Sequence, residues 1–292
     1  MRGLIVNADG LGYTEGINRG IRDAVSRGIV RSVSALANMD AFDGIRGFHE
    51  ACPEVSIGVH FNLTVGRPVS RPELIPTLIG DNGCFLGAAF PSRVMSGRVR
   101  FREMVRELHA QASRILGAGV RLTHFDGHQN KHLYPPFMAA ALRVARLTGI
   151  KCMRTHRRYL LLPRGSRALC LAEYYVRRPG RLLTHVSGRI LSRAAVAAGM
   201  KSADRLITPG YADDSSKAML ETWIRIADEM PTGISEVYCH PGYPDEKLAE
   251  SSYYLEPRAM EVEVLSSEEL RAAFEDRGVT LMSFYDLERH AC

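Results

Sequence analysis

The 292-residue chain has few cysteines, and they are widely separated. No two of them form a C-x-x-C pair, so the sequence offers neither a zinc knuckle nor the dense disulfide framework of a small secreted domain. We therefore expect free and mostly buried thiols at all six positions, which are Cys52, Cys84, Cys152, Cys170, Cys239 and Cys292.

Long apolar runs are also missing. No stretch reaches the roughly 18 consecutive apolar residues that a membrane-spanning helix needs. The first apolar run, in residues 3–8, meets Asp9 too early to resemble a secretory signal. We therefore expect a cytoplasmic protein.

Phosphate-binding glycine motifs are absent after the predicted strands. Neither G-x-G-x-x-G nor G-x-x-x-x-G-K-[ST] occurs there, which argues against a nucleotide-binding domain. The formal net charge of +6 is a weak argument for nucleic acid, because it is local. Ten arginines and one acid, Glu173, lie between Arg154 and Arg193, which gives that segment +9 and the rest of the chain −3. We therefore expect no nucleic-acid partner.

The basic insert, residues 157–200, interleaves its arginines with leucine, isoleucine and tyrosine. This pattern is typical of helices that lie on an anionic membrane surface, and it predicts peripheral membrane contact. Two other interpretations are a homodimer interface and a solvated lid, in which the arginine stems cover apolar side chains.

What the chain does contain is a regular alternation of strand and helix patterns. Apolar residues make up 46% and charged residues 24%, as in ordinary globular proteins. Seven or eight strand-then-helix units in tandem predict an α/β fold with parallel strands, closed or nearly closed into a (β/α) barrel, as one domain over residues 1–292. The proline- and glycine-rich residues 62–97 predict a long loop after the third strand, without elements of its own.

Ionisable residues end five of the predicted strands. Asp9, His60, Asp126, Arg154 and His240 each lie at or just past a strand end. In a β/α barrel the carboxyl ends of the strands form one rim, where such folds place their active sites. We therefore expect these side chains to meet.

Residues 123–132 contain three histidines and one carboxylate. Asp126 and His128 alternate, so they can point to the same side of a strand end. The alternative is a polar loop with structural histidines.

Two imidazoles together with carboxylate and water oxygens form a plausible site for a divalent cation, and this donor set suits zinc better than magnesium. With Asp9 as base and His240 as a second acid/base group, such a site predicts amide hydrolysis.

Several motifs together resemble the YdjC-like carbohydrate deacetylases: Asn7–Gly12 followed by Gly16–Asn18, Gly58–Leu63, Asp126–His128 and His240–Gly242. The resemblance covers nearly the whole chain and is weakest in the basic insert. It implies a distorted (β/α) barrel and hydrolytic removal of the acetyl group from an N-acetylated amino sugar. We expect that sugar to belong to an oligosaccharide or, from the membrane contact predicted for the basic insert, to a lipid-linked glycoconjugate.

The resemblance also implies roles for single residues. Asp9 matches the general base, His60 and His128 match two ligands of a zinc or magnesium ion, and His240 matches a histidine of the site. We expect Asp126 and Arg154 to contact the substrate.

Two positions depart from the family pattern. Gly10 stands where a second Asp is expected, and Asn130 where a histidine is common. Loss of an anionic ligand predicts weaker metal binding. This leaves open an impaired sugar-binding protein of the same fold. A barrel glycosidase is a further alternative, for which Asp9 and Asp126 are the one available carboxylate pair.

Overall fold

Strand β1 (Arg2–Leu11) is the centre of the molecule in the computed structural model of the chain, which describes residues 1–162, 166–208, 215–252 and 254–290. Its side chains from Gly3 onward are buried, as the aliphatic sequence predicts. The other strands are β2 (Ser32–Ala35), β3 (Ser56–Phe61), β4 (Leu122–Gly127), β5 (Cys152–Met153), β6 (Arg158–Leu160), β7 (Arg205–Thr208), β8 (Gly233–Cys239) and β9 (Val279–Met282).

Helices follow most of these strands. The first begins after Thr14, whose side chain accepts a hydrogen bond from the amide of Ile17. They are α1 (Glu15–Ser26), α2 (Ile45–Ala51), α3 (Phe90–Met95), α4 (Phe101–Gly117), α5 (Pro135–Thr148), α6 (Arg167–Arg177), α7 (Pro179–Ala197), α8 (Ser216–Glu229), α9 (Glu246–Ser251), α10 (Glu256–Leu265), α11 (Glu268–Asp276) and α12 (Phe284–Arg289).

The strands form one parallel sheet in the order β5-β4-β3-β2-β1-β8-β7-β6, and β9 pairs with the first half of β1. The prediction of a parallel α/β barrel is confirmed, with the difference that it is a half-barrel. Its two end strands, β5 and β6, have only two and three residues, and no pairing joins them in the described part of the chain. All carboxyl ends of the strands nevertheless point the same way.

The long loop predicted after the third strand is held by two carboxylates of α4. Glu107 accepts hydrogen bonds from the amides of Val69 and Ser70 at 3.0 and 2.8 Å, and Glu103 accepts two from Thr77. Backbone amides that cannot join a sheet are thereby satisfied. The expectation that the loop has no elements of its own is wrong for residues 90–95, which form α3 with Phe90 and Val94 buried on one face.

The basic insert is largely helical, as predicted, and consists of β6, α6 and α7. Gly188, Ser192 and Ala195 form the inner face of α7. The Ser192 hydroxyl accepts a hydrogen bond from the amide of His156, which fixes the helix to the chain just past β5. One arginine of the insert, Arg164, lies outside the described residues.

The structure bears on membrane-spanning helices and on disulfides. Within the described residues no helix is both long and apolar enough to cross a bilayer. No disulfide joins the described cysteines, three of which are buried: Cys52, Cys152 and Cys239. Cys292 lies outside the described residues.

Candidate active site

A pocket of about 420 Å³ opens at the carboxyl ends of the strands. Four of the six predicted site residues line it: Asp9, His60, His128 and His240. The other two, Asp126 and Arg154, are absent from the lining and are almost wholly buried beneath it. The structure thus brings all six together, in two layers.

Arg154 is the centre of the lower layer. Its guanidinium holds Asp9 through two hydrogen bonds of 2.7 and 2.6 Å, and it also pairs with Asp126 and Glu236, both at 2.7 Å. This bidentate interaction fixes the plane of the Asp9 carboxylate. A fully buried guanidinium is tolerable because these carboxylates satisfy it. Arg154 therefore positions Asp9, and its burial does not provide the substrate contact that we expected of it.

One guanidinium cannot neutralise three carboxylates, and their pKa values separate accordingly. Burial acts to raise the pKa of Asp9, but the charge and hydrogen bonds of Arg154, together with the charge of His60, hold that pKa below its usual value. The same balance lowers the pKa of Asp126, again through Arg154 and also through His60. Burial raises the pKa of Glu236 to about 7. Glu236 is thus the carboxyl group that takes up a proton near neutral pH, whereas the two aspartates stay ionised.

His60 is oriented by Asp126. Its Nδ1 lies 2.7 Å from Asp126 Oδ1, and because that carboxylate is ionised, the Nδ1–H donates and Nε2 faces the pocket. Burial acts to lower the pKa of His60, but Asp126 and Asp9 outweigh it and raise that pKa. A cation that binds at Nε2 therefore competes with a proton. Asp126 orients a histidine and lies outside the pocket, so it does not offer the predicted substrate contact.

The second predicted ligand lies beside the first. His128 Nδ1 is 3.4 Å from His60 Nε2. Two nitrogens bound tetrahedrally to one zinc ion are about 3.3 Å apart, given Zn–N distances of about 2.0–2.1 Å. Burial is the largest cause of the lowered pKa of His128, and the charge of His60 is the second cause. This imidazole is therefore neutral and able to bind a cation. The donor set fits a divalent cation at this position.

Carboxylate oxygens complete the surroundings of this position. Donor atoms of Asp9, His60 and Asp126 lie within 4.8 Å of one another. Both Asp126 oxygens are already engaged, by His60, Ser34 and Arg154. Both Asp9 oxygens are engaged as well, by Arg154 and Asn7, but Asp9 borders the pocket and Asp126 does not.

The two positions that depart from the family pattern both line the pocket. Gly10 has φ +106°, a conformation that side chains rarely adopt, although a Cβ would meet only Ile17 Cγ2, at 3.9 Å. Gln129 and Asn130 have φ of 53° and 56°, two consecutive left-handed residues that are not glycine. Such strain is concentrated at functional sites. The Asn130 Oδ1 has no hydrogen-bond partner among the described residues.

His240 is held through its backbone by α10. Its amide donates to Glu261, and its carbonyl accepts a hydrogen bond of 3.1 Å from Arg258. The rings of Tyr238 and Tyr254 lie edge-on to it, with centroids at 5.5 and 5.9 Å. Burial lowers the pKa of His240 to about 4, so its ring is neutral at pH 7 and must accept a proton before it can donate one as an acid.

The other two histidines of residues 123–132 are structural. The His124 ring stacks on Phe284 at 3.7 Å and hydrogen-bonds to Thr123. His132 pairs with His156, with 2.6 Å between their Nε2 atoms, and both rings are buried. The alternative that these histidines serve the fold therefore holds for two of the three, and only His128 reaches the pocket.

Sequence reasoning missed several residues around the site. Glu236, Tyr238 and His240 occupy alternate positions of β8 and the residue after it, so their side chains lie on the same side of the sheet. The sequence could have indicated Glu236, because it is the one acidic residue in this strand. Arg258 and Glu261 carried no such signal, because α10 was not recognised as a helix.

Comparisons with known proteins identify the family of this chain. The family model described as YdjC-like protein matches residues 3–276. Relatives named carbohydrate deacetylase include proteins of Listeria innocua, 34% identical over 97% of this chain and 99% of the relative, and of Geobacillus stearothermophilus, 32% identical over 97% of each. A putative cellobiose-phosphate cleavage protein from Enterococcus faecalis has a similar structure, with a TM-score of 0.75 and 28% identity over 98% of each chain. The family resemblance seen in the sequence is thus confirmed, and this chain belongs to the YdjC-like family.

Proposed function

We propose that this chain is a carbohydrate deacetylase that uses a divalent cation, zinc or magnesium, to hydrolyse the N-acetyl group of an amino sugar, in an oligosaccharide or a lipid-linked glycoconjugate. The observation that carries the proposal is the pair of facing nitrogens, His60 Nε2 and His128 Nδ1, 3.4 Å apart beside Asp9 in the pocket. The relatives named carbohydrate deacetylase support the substrate class.

The reaction needs a base, an acid and stabilisation of negative charge on the amide oxygen. A bound cation would polarise that carbonyl and lower the pKa of a water molecule. Asp9 is ionised and fixed by Arg154, so it can accept the proton of the attacking water. As the oxygen–carbon bond forms and the carbon–nitrogen bond breaks, the amine must receive a proton.

His240 is suited to the second proton transfer. It lines the same pocket as Asp9, and as a neutral imidazole it can hydrogen-bond to the sugar nitrogen. Once it has accepted a proton released by the attacking water, it can pass that proton to the leaving nitrogen. Glu261 and Arg258 hold its backbone, so its ring approaches the substrate from a fixed position. The products are acetate and a free amino sugar.

The pocket walls favour a small ring as substrate. Tyr13, Tyr238 and Tyr254 contribute to the lining along with aliphatic residues, and the volume of about 420 Å³ is within the range of small-molecule sites. The glycosidase alternative has less support. Asp9 and Asp126 bind the same Nη2 of Arg154, at 2.6 and 2.7 Å, so they do not face each other across the pocket.

An assay of both products tests the proposal. Metal-stripped protein, alone and with zinc or magnesium restored, is incubated with N-acetylglucosamine oligosaccharides, and acetate and new reducing ends are measured. We expect acetate only when metal is present. His60→Ala should remove this metal-dependent release, whereas His109→Ala, at an exposed position of α4, should retain it. New reducing ends would instead indicate a glycosidase, and sugar binding without either product an impaired binding protein.

Gly10→Asp tests whether the missing carboxylate matters. We expect zinc binding to tighten on the order of tenfold, because an anionic ligand is added to two imidazoles. The backbone at φ +106° should cost about 1–2 kcal/mol of folding free energy. Gly10→Asn is the matched control, since it carries the same backbone cost without the charge. Calorimetric titration with zinc that gives equal affinities for the Asp and Asn variants and the native chain would show that the missing ligand is irrelevant.

A further inference from the structure

The outer side of the basic insert has unusual exposure of apolar side chains. On α7, Leu183, Val186 and Ile190 are 74%, 50% and 60% exposed. On α6, Leu169 and Val176 are 71% and 80% exposed. No described part of the chain covers them. Single exposed aliphatic residues are ordinary, but this many on two consecutive helices form a surface that needs an explanation.

The α7 residues form a continuous stripe. Leu183, Val186 and Ile190 are spaced i, i+3 and i+7, so they share one helix face. That face is opposite the inner face of Gly188, Ser192 and Ala195, which packs on the barrel. With 3.6 residues per turn, Arg189 and Arg193 lie along one edge of the stripe. We call the three aliphatic residues and these two arginines the insert face.

The charge of this region is almost wholly positive. Six arginines and one acid, Glu173, occur between residues 167 and 193. Glu173 already pairs with Arg177 at 2.8 Å. Among the described residues, Arg189 and Arg193 have no ion-pair partner. The arginines of the insert face are therefore available to a negatively charged partner.

We propose that the insert face binds the surface of an anionic lipid bilayer. Such a surface offers both properties that the face requires: phosphate and carboxylate headgroups for the arginines, and an acyl boundary for the aliphatic stripe. A second copy of this chain, docked through the same face about a two-fold axis, would bring like charges together. Nucleic acid would satisfy the arginines but leave the aliphatic stripe without an apolar partner.

The inner face of α7, opposite the insert face, is attached close to the pocket. Gly188 of α7 packs against His156 and Leu133, with a Cβ at Gly188 lying 3.0 Å from the His156 Cβ and 3.7 Å from Leu133 Cδ2. Leu133 ends the segment that begins at His128 and contributes Gln129 and Asn130 to the pocket wall. A bilayer bound through α7 would therefore lie near the pocket. The lipid-binding proposal itself does not depend on the chemistry of that pocket.

Co-sedimentation with vesicles tests the proposal. The full chain is mixed with phosphatidylcholine vesicles, and with vesicles that also contain phosphatidylglycerol, at low and at high salt. We expect sedimentation with the anionic vesicles at low salt and much less at high salt, because screening weakens the attraction. Arg189→Gln with Arg193→Gln should lower the partition coefficient about 10- to 30-fold, and Leu183→Ser with Ile190→Ser should lower it at both salt concentrations.

The control is a variant of α5 with a matched composition. Arg143→Gln, Arg146→Gln and Leu147→Ser change two exposed arginines and one exposed leucine elsewhere on the surface. This variant should bind vesicles like the native chain. Failure of the native chain to sediment with anionic vesicles at low salt, or equal losses in the control, would overturn the proposal. So would a dimer in light scattering that Leu183→Ser with Ile190→Ser dissociates. None of these outcomes bears on acetate release from soluble oligosaccharides.

Discussion

Asp9→Asn should lower the rate of acetate release by about 10²–10⁴-fold, because the carboxamide cannot accept the proton of the attacking water. Arg154 holds Asp9 ionised, so the fold-loss in rate should be the same at every assay pH at which native Asp9 is charged. Substrate binding should change less than turnover, since Asn has nearly the same shape. The measurement is kcat and KM for acetate release from an N-acetylglucosamine oligosaccharide with saturating metal.

The fold of the Asp9→Asn variant should survive, which separates loss of chemistry from loss of structure. Arg154 keeps its partners Asp126 and Glu236, so no buried charge is left alone. Circular dichroism and thermal unfolding should therefore resemble those of the native chain. Asp40→Asn is the matched control, at a residue on the exposed surface, and should keep full activity. An Asp9→Asn protein with a near-normal rate would remove Asp9 from the role of base.

The position of the site could be predicted because parallel strands impose a direction. Once Asp9, His60 and His240 were placed at strand ends, strand polarity alone required them to share a rim. The same argument placed His128 beside His60, since His128 follows the strand next to β3. This part of the prediction needed only the order of strand and helix patterns, which the sequence carries strongly.

The depth of each side chain could not be predicted in this way. Asp126 and Arg154 were expected to contact the substrate, but both lie under the pocket, where they orient His60 and Asp9. The buried guanidinium of Arg154 also pairs with a third carboxylate, Glu236, which lies 82 residues away in the sequence. Whether a strand-end residue points into a pocket or into a buried ion cluster depends on such distant partners, and local patterns do not report them.

The carboxyl half of the chain was harder to predict than the amino half. β6, α9 and α12 are three to six residues long, too short for periodicity to reveal them. α10 is longer, but apolar side chains do not collect on one face, because Glu261 is buried among them. That buried acid serves the site, where it accepts the amide of His240. A residue that serves the site thus removes the one-sided apolar pattern that would have identified α10 as a helix.

Arg154→Met should cost about 3–5 kcal/mol of folding free energy, because it leaves ionised carboxylates buried without their cation. Asp9 and Asp126 lose the group that lowers their pKa values, so both pKa values should rise. The melting temperature should fall on the order of 10 °C at neutral pH. It should fall less at acidic pH, since both carboxyl groups are then protonated in the folded variant and cost little to bury.

Two further variants show whether the cause is charge or shape. Arg154→Lys restores the positive charge without the planar fork, so it should recover part of the stability but little of the acetate release, since one ammonium cannot fix the plane of the Asp9 carboxylate. Arg143→Met, on the exposed surface of α5, should leave the melting temperature unchanged. Thermal unfolding of all three proteins across a range of pH supplies the measurement. If Arg154→Met melted like the native chain at neutral pH, the three carboxylates would not depend on this guanidinium, and the pKa order assigned to Asp9, Asp126 and Glu236 would be wrong.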